Sequence, residues 1–311
     1  MAIGTTGRNL ILLISQLRAG STLLQRMLAN HGDIHSLPEP WIALPSLYAL
    51  YSKKIDRRYK LEYSRYWART AIEGFVKRLP GGEEDYLNGF RLMLEHWYNC
   101  AMSGSGKRFF LDKCPRYYHI IPELRKVLPD AVFIFLLRNP LAVLNSIANV
   151  CGRTGCHMRE FQHDLLSAPR RIVDGIKLSG EGCVVIRYED LLTNPEAPVR
   201  KICEKLNIDF IPGMLKYGPA NEFKDSYGYC MQPDRYAEGE PDAGNADRWA
   251  LDMKDPQRWR LLDDYIRYVG RDIISAMGYS YEDLRRQLDT VKPNLMRLFL
   301  TAPLLRSLKE R

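Results

Sequence analysis

Three short stretches carry the side chains best suited to chemistry, and each directly follows an apolar run. Arg18 to Thr22 (RAGST) follows LILLIS; Asp112 to Arg116 (DKCPR) follows FFL; Arg138 to Ser146 (RNPLAVLNS) ends AVFIFLL. A strand that turns through small residues into a helix leaves backbone amides without internal partners at the positive end of the helix dipole, which makes an anion site. Gly20 allows close backbone approach, Ser21 and Thr22 add hydroxyl donors, and Arg18 adds a planar cation. The stretch reads as a phosphate or sulfate cradle, with a plain strand–helix turn capped by serine as the alternative. The common nucleotide loop ends in Gly-Lys-Ser/Thr; no such triplet occurs, which disfavours ATP and GTP. Arg138 ends a buried strand, where an unpaired guanidinium is costly. Ser146 stands eight residues on, two turns into the next helix. A phosphate between them neutralises the arginine; pairing with Asp190 or Asp112 is the alternative.

These stretches together resemble the sulfotransferase family that uses 3′-phosphoadenosine 5′-phosphosulfate (PAPS), in its bacterial and tyrosylprotein-sulfotransferase-like branch. RAGST fits that family's phosphosulfate loop, Arg138 and Ser146 its 3′-phosphate motif, and VIRYEDLLTNP, with Tyr188, Glu189, Asp190 and Asn194-Pro195, its third mark. They occur in family order across roughly residues 10–207. The resemblance implies a sulfotransferase with a P-loop-NTPase-like parallel sheet flanked by helices. It assigns Arg18, Ala19, Gly20, Ser21, Thr22 and Leu23 to the phosphosulfate, Arg138 and Ser146 to the 3′-phosphate, and Tyr188 to the adenosine end. PAPS is then the co-substrate and adenosine 3′,5′-bisphosphate the product, with no metal required.

Sulfuryl transfer needs in-line attack, a base for the acceptor hydroxyl and charge stabilisation at the leaving oxygen. Arg18 and Lys113 are the candidates for that stabilisation, with Arg116 as an assistant and a surface lysine as the alternative for Lys113. Glu39, in HSLPEPWIALP and 21 residues after Arg18, is the candidate base, as in the tyrosylprotein-like branch. Trp41 is expected to desolvate its carboxylate; His35 is the second choice, because imidazole suits neutral pH. There are departures from the family. Pro40, Trp41, Ile42 and Ala43 follow Glu39 where tyrosine sulfotransferases have arginines, which favours a carbohydrate or glycolipid acceptor over a peptide or small alcohol. Val150 replaces a cation one turn after Ser146, and AGNADRW (243–249) matches the late cofactor loop only loosely, with Arg248 as its cation.

The elements that position these residues follow from hydrophobic patterning. Strands are expected at 10–15, within 107–112, at 131–137 and at 183–187, and helices at 20–30, 118–128, 141–150, 196–207 and 256–276, with 41–102 mostly helical and 210–247 a long ordered loop. Alternating strands and helices imply an α/β fold, a parallel sheet with ligands at the carboxyl ends of its strands. No linker or repeat divides the 311 residues, of which 46% are hydrophobic, so one domain is expected over 1–290 with an amphipathic basic tail at 291–311. The tail suits a peripheral membrane contact or docking on the domain or a second subunit, which leaves a homodimer open. The apolar runs are too short for a membrane span or signal peptide. Seven scattered cysteines suit a reducing compartment, and a cytoplasmic location is expected. Cys151, Cys156 and His157 lack the second ligand pair of a zinc site. The net charge of +8 comes without a nucleic-acid-binding signature; a small polyanion is enough to account for part of it. A protein that keeps the pocket as a non-catalytic scaffold has no need of Glu39 or Lys113.

Overall fold

The computed structural model describes residues 2–37, 39–43, 71–155, 157–216, 240–253 and 255–293. The expected helical stretch over 44–70, the loop over 217–239, Cys156 and the tail from 294 lie outside them. Five strands, β1 (Leu10–Ser15), β2 (Ile34–Ser36), β3 (Phe109–Lys113), β4 (Val132–Leu137) and β5 (Cys183–Arg187), form one sheet in the order β2-β3-β1-β4-β5. All neighbouring strands are parallel, so their carboxyl ends share one edge.

Every residue of β1 is buried, as a central strand covered on both faces requires. Leu10, Leu12 and Ile14 pack on one face with Phe110, Phe133 and Phe135. Ile11 and Leu13 pack on the other against Leu23, Leu24, Met27 and Leu28 of helix α1 (Ser21–Ala29). The remaining helices are α2 (Glu83–Met102), α3 (Ile121–Val127), α4 (Pro140–Thr154), α5 (Gln162–Leu166), α6 (Ala168–Ser179), α7 (Tyr188–Thr193), α8 (Glu196–Leu206), α9 (Pro256–Val269), α10 (Arg271–Ala276) and α11 (Tyr281–Thr290). Residues 71–76 are also helical. Among the described residues no helix is long and apolar enough to cross a membrane.

Several boundaries differ from the patterning. β2 has three residues, too few for a periodic signal. The expected helix over 118–128 is a 3₁₀ turn (Pro115–His119) followed by α3, which has Pro122 in its first turn. α4 runs on to Thr154 and ends on Gly155 at φ 72°, so CGRTGCH is half helix; Cys151 Sγ lies 3.6 Å from Met158 Sδ. The expected helix 256–276 breaks at Gly270, whose φ of 81° favours glycine.

Asp112 is wholly buried; its Oδ2 accepts from Tyr98 (2.6 Å) and Tyr117 (2.8 Å). Burial pushes its carboxyl up from 3.8 to about 6, against the lowering effect of the two tyrosines. Between those values the folded chain keeps a proton the unfolded chain has lost. Its stabilising share is therefore complete below about pH 3.8 and is lost as pH rises through about 6. His119 acts in the opposite sense: burial, with help from Arg171, lowers it from 6.5 to about 4, so its share is regained as pH rises. The two contributions oppose each other over nearly the same pH range, and Asp112→Asn removes one of them. Urea unfolding at pH 4 and pH 7 is expected to show this variant gaining on the unmodified chain by on the order of 3 kcal/mol; a difference independent of pH contradicts the assignment.

Candidate active site

The carboxyl edge of the sheet brings the stretches together. Gly20 caps α1 at φ 97° and Arg18 is left-handed at φ 67°, so the loop doubles back over the strand ends. Arg18 Nε donates to Ser146 Oγ at 3.3 Å. Arg138 Nη1 donates to the carbonyl of Arg18 at 2.9 Å, and its guanidinium stands 4.3 Å above the Tyr188 ring. A Cβ on residue 20 would overlap that same ring. Residues that follow β1 and β4, with others from α4 and α7, thus meet around one loop. Among the described residues Arg138 pairs with neither Asp190 nor Asp112: it is held by a carbonyl and an aromatic face. Among the described residues its buried Nε meets no acceptor, which suits an anion. The amides of Ala19 and Leu23 are committed to Gln16 and Gly20 carbonyls, which narrows the amides at the helix head to those of Gly20, Ser21 and Thr22. Arg248 is exposed, its guanidinium 3.5 Å from Asn245 Oδ1.

A second cluster adjoins the first. Lys113, at the end of β3, is 2% exposed and no surface lysine. Its Nζ lies 3.3 Å from Thr22 Oγ1 and forms an ion pair with Glu39 Oε1. Glu39 Oε2 accepts from the Trp41 indole N–H at 3.0 Å. Trp41 therefore meets Glu39 as a hydrogen-bond donor and not only as an apolar cover. His35 packs edge-on to Phe110, on the sheet face opposite Lys113, because the strand positions differ in parity; it is displaced from the role of second-choice base. Arg116 forks onto buried Asp164, Nη2 to Oδ2 at 2.9 Å and Nε to Oδ1 at 3.3 Å. Burial opposes its charge, yet Asp164 carries Arg116 above its ordinary value.

Supporting contacts went unrecognised in the sequence. Gln25, 1% exposed, donates to Ser36 Oγ and the Leu37 carbonyl, both at 2.8 Å, and so ties the approach to Glu39 onto α1. Its signal was a polar residue within an apolar helix face. Glu189 accepts from the Asn139 amide (2.9 Å) and the Tyr279 hydroxyl (2.6 Å), which locks the turn bearing Tyr188 to the end of β4. Asn145 and Asn149, flanking Ser146, both donate to Asp252 at 2.7 Å and accept from Arg258; no spacing rule links positions so far apart in sequence. Gly20→Ala combines a strained φ with the overlap on Tyr188. It is expected to cost about 2 kcal/mol or more in urea unfolding; unchanged stability contradicts this packing.

A model of the sulfotransferase family matches residues 11–212. Nodulation protein NoeE of Sinorhizobium fredii is 33% identical over 135 residues, 43% of this chain and 30% of that protein. Protein-tyrosine sulfotransferase A of Caenorhabditis elegans is 24% identical over 207 residues, 64% of this chain and 50% of that protein. The chain thus spans half or less of the length of these two relatives. The sulfotransferase domain from the curacin biosynthetic pathway superposes with a TM-score of 0.57 at 20% identity, over 88% of this chain and 98% of that one, a likeness of fold. With the match covering the strands and loops that converge on Gly20, the chain belongs to the sulfotransferase family.

Proposed function

We propose that the chain transfers a sulfuryl group from PAPS to an acceptor hydroxyl. One observation carries the reading: Arg18, Ser146, Arg138 and Tyr188 converge on the Gly20 loop, where the buried Arg138 Nε meets no acceptor among the described residues. Arg18 and the amides of Gly20, Ser21 and Thr22 bind the 5′-phosphosulfate. Arg138 and Ser146 bind the 3′-phosphate, and Tyr188 borders the adenosine. Arg248 is the further cation on the cofactor side. Such fixed donors act where charge develops and need no reorganisation during the step.

Glu39 takes the proton of the acceptor hydroxyl. The acceptor oxygen bonds to sulfur as the sulfur–oxygen bond to the 5′-phosphate breaks, and that oxygen leaves with the electron pair. Lys113 and Arg18 offset the growing charge on it. Sulfate ester and adenosine 3′,5′-bisphosphate result, and the proton rests on Glu39 until it passes to water. The apolar run Pro40 to Ala43 beside Glu39 supports a carbohydrate or glycolipid acceptor. Protein tyrosine is the second reading, supported by the tyrosine sulfotransferase among the relatives.

Two measurements test this. In thermal shift, adenosine 3′,5′-bisphosphate at 100 times its dissociation constant adds about 2.7 kcal/mol and ATP adds little; stabilisation by ATP alone overturns the donor assignment. With ³⁵S-labelled PAPS, label is expected on oligosaccharide or glycolipid in preference to tyrosine peptide, and label on the peptide alone selects the second reading. Glu39→Gln is expected to lower turnover by about 10²- to 10⁴-fold with bisphosphate binding retained; full turnover removes Glu39 as base.

A further inference from the structure

Glu39 sits outside any helix or strand, where a glutamate side chain has several torsions free to turn. Here both its oxygens are held. Lys113 takes Oε1 and the Trp41 indole takes Oε2 at 3.0 Å. Trp41 holds this place with φ at 55°, a left-handed conformation that is costly for a non-glycine residue and persists only where the surroundings over-determine it. Those surroundings include Arg116, whose Cζ stands 5.8 Å from the Trp41 ring centroid. Arg116 is fixed in turn by the forked pair with Asp164, a carboxylate 1% exposed that also accepts from Tyr118 at 2.9 Å. With its charge answered by Asp164, Arg116 is poorly suited to bind an anion and well suited to brace an aromatic ring.

We infer that Trp41 is the positioning residue of Glu39, and that Arg116, clamped by Asp164, holds the indole where its N–H fixes the carboxylate plane and leaves Oε1 beside Lys113 and Thr22. The inference rests on the reading of Glu39 as base. It extends that reading to a relay from Asp164 through Arg116 and Trp41 to the base. Two donors on separate oxygens fix both the direction and the rotation of a carboxylate, which one donor does not. A displacement of about 1 Å at a reacting group costs as much as 10²-fold in rate.

The test uses the full chain with ¹⁵N-labelled indoles, together with the labelled-PAPS transfer assay. Trp41→Phe keeps a ring against Arg116 but removes the N–H. It deletes one indole N–H resonance and so assigns it. That resonance is expected to move in Glu39→Gln and in Arg116→Gln; a resonance indifferent to both overturns the relay without any need for an acceptor. In turnover, Trp41→Phe is expected to lower kcat about 10- to 100-fold with the KM for PAPS changed less than about two-fold. Arg116→Gln gives a smaller loss in the same direction, and the double variant is no slower than Trp41→Phe, since Arg116 acts through Trp41. Additive losses, or an unchanged kcat in Trp41→Phe, overturn the proposal. Should Glu39→Gln itself retain full turnover, the base assignment falls; an inactive Glu39→Gln beside an unaffected Trp41→Phe sinks only the relay.

Discussion

Like charges brought to one edge of a sheet repel, and this fold brings three there. Arg18, Lys113 and Arg138 end or follow β1, β3 and β4, which are adjacent in the sheet. Buried cations persist only when something answers them. Glu39 answers Lys113, while the Arg18 carbonyl and the Tyr188 ring answer Arg138 in part. The remaining demand, visible in the buried Nε of Arg138, which meets no acceptor among the described residues, suits an anion. The left-handed loop residues, the overlap that excludes a side chain at position 20 and the fork on Asp164 all surround that demand.

The scaffold meets it by tying each charged residue to a neighbouring element. Gln25 carries α1 to the segment before Glu39, and Glu189 carries α7 to the start of α4 and to Tyr279. These bonds are buried or nearly so, which makes them rigid and makes a missing partner costly. The fold thus sets two clusters at adjacent strand ends: one holds Arg138 and Ser146, the other Lys113 and Glu39, and Thr22 joins them.

Much of this was legible from the residues. Apolar runs marked β1, β3, β4 and β5, because buried strands need continuous hydrophobicity. RAGST, Arg138 with Ser146, and Tyr188 stood at strand ends, where a parallel sheet holds ligands. What escaped were contacts between residues distant in sequence. The pairing of Lys113 with Glu39 spans 74 positions and that of Arg116 with Asp164 spans 48, and no local pattern encodes either. Trp41 read as apolar cover because sequence shows the ring and not the direction of its N–H. His35 read as a possible base because the three-residue strand that turns it onto Phe110 is too short to announce itself.

The most direct measurement compares, by calorimetry, adenosine 3′,5′-bisphosphate with AMP on the unmodified chain and on Arg138→Gln. If the strand-end cations form a site for a 3′-phosphate, the unmodified chain prefers the bisphosphate by about 100-fold or more, as a charge-assisted phosphate clamp worth roughly 3 kcal/mol requires. Arg138→Gln then removes most of that preference and leaves AMP binding nearly unchanged. Equal affinity for the two ligands, or a preference that survives the loss of Arg138, would contradict the account.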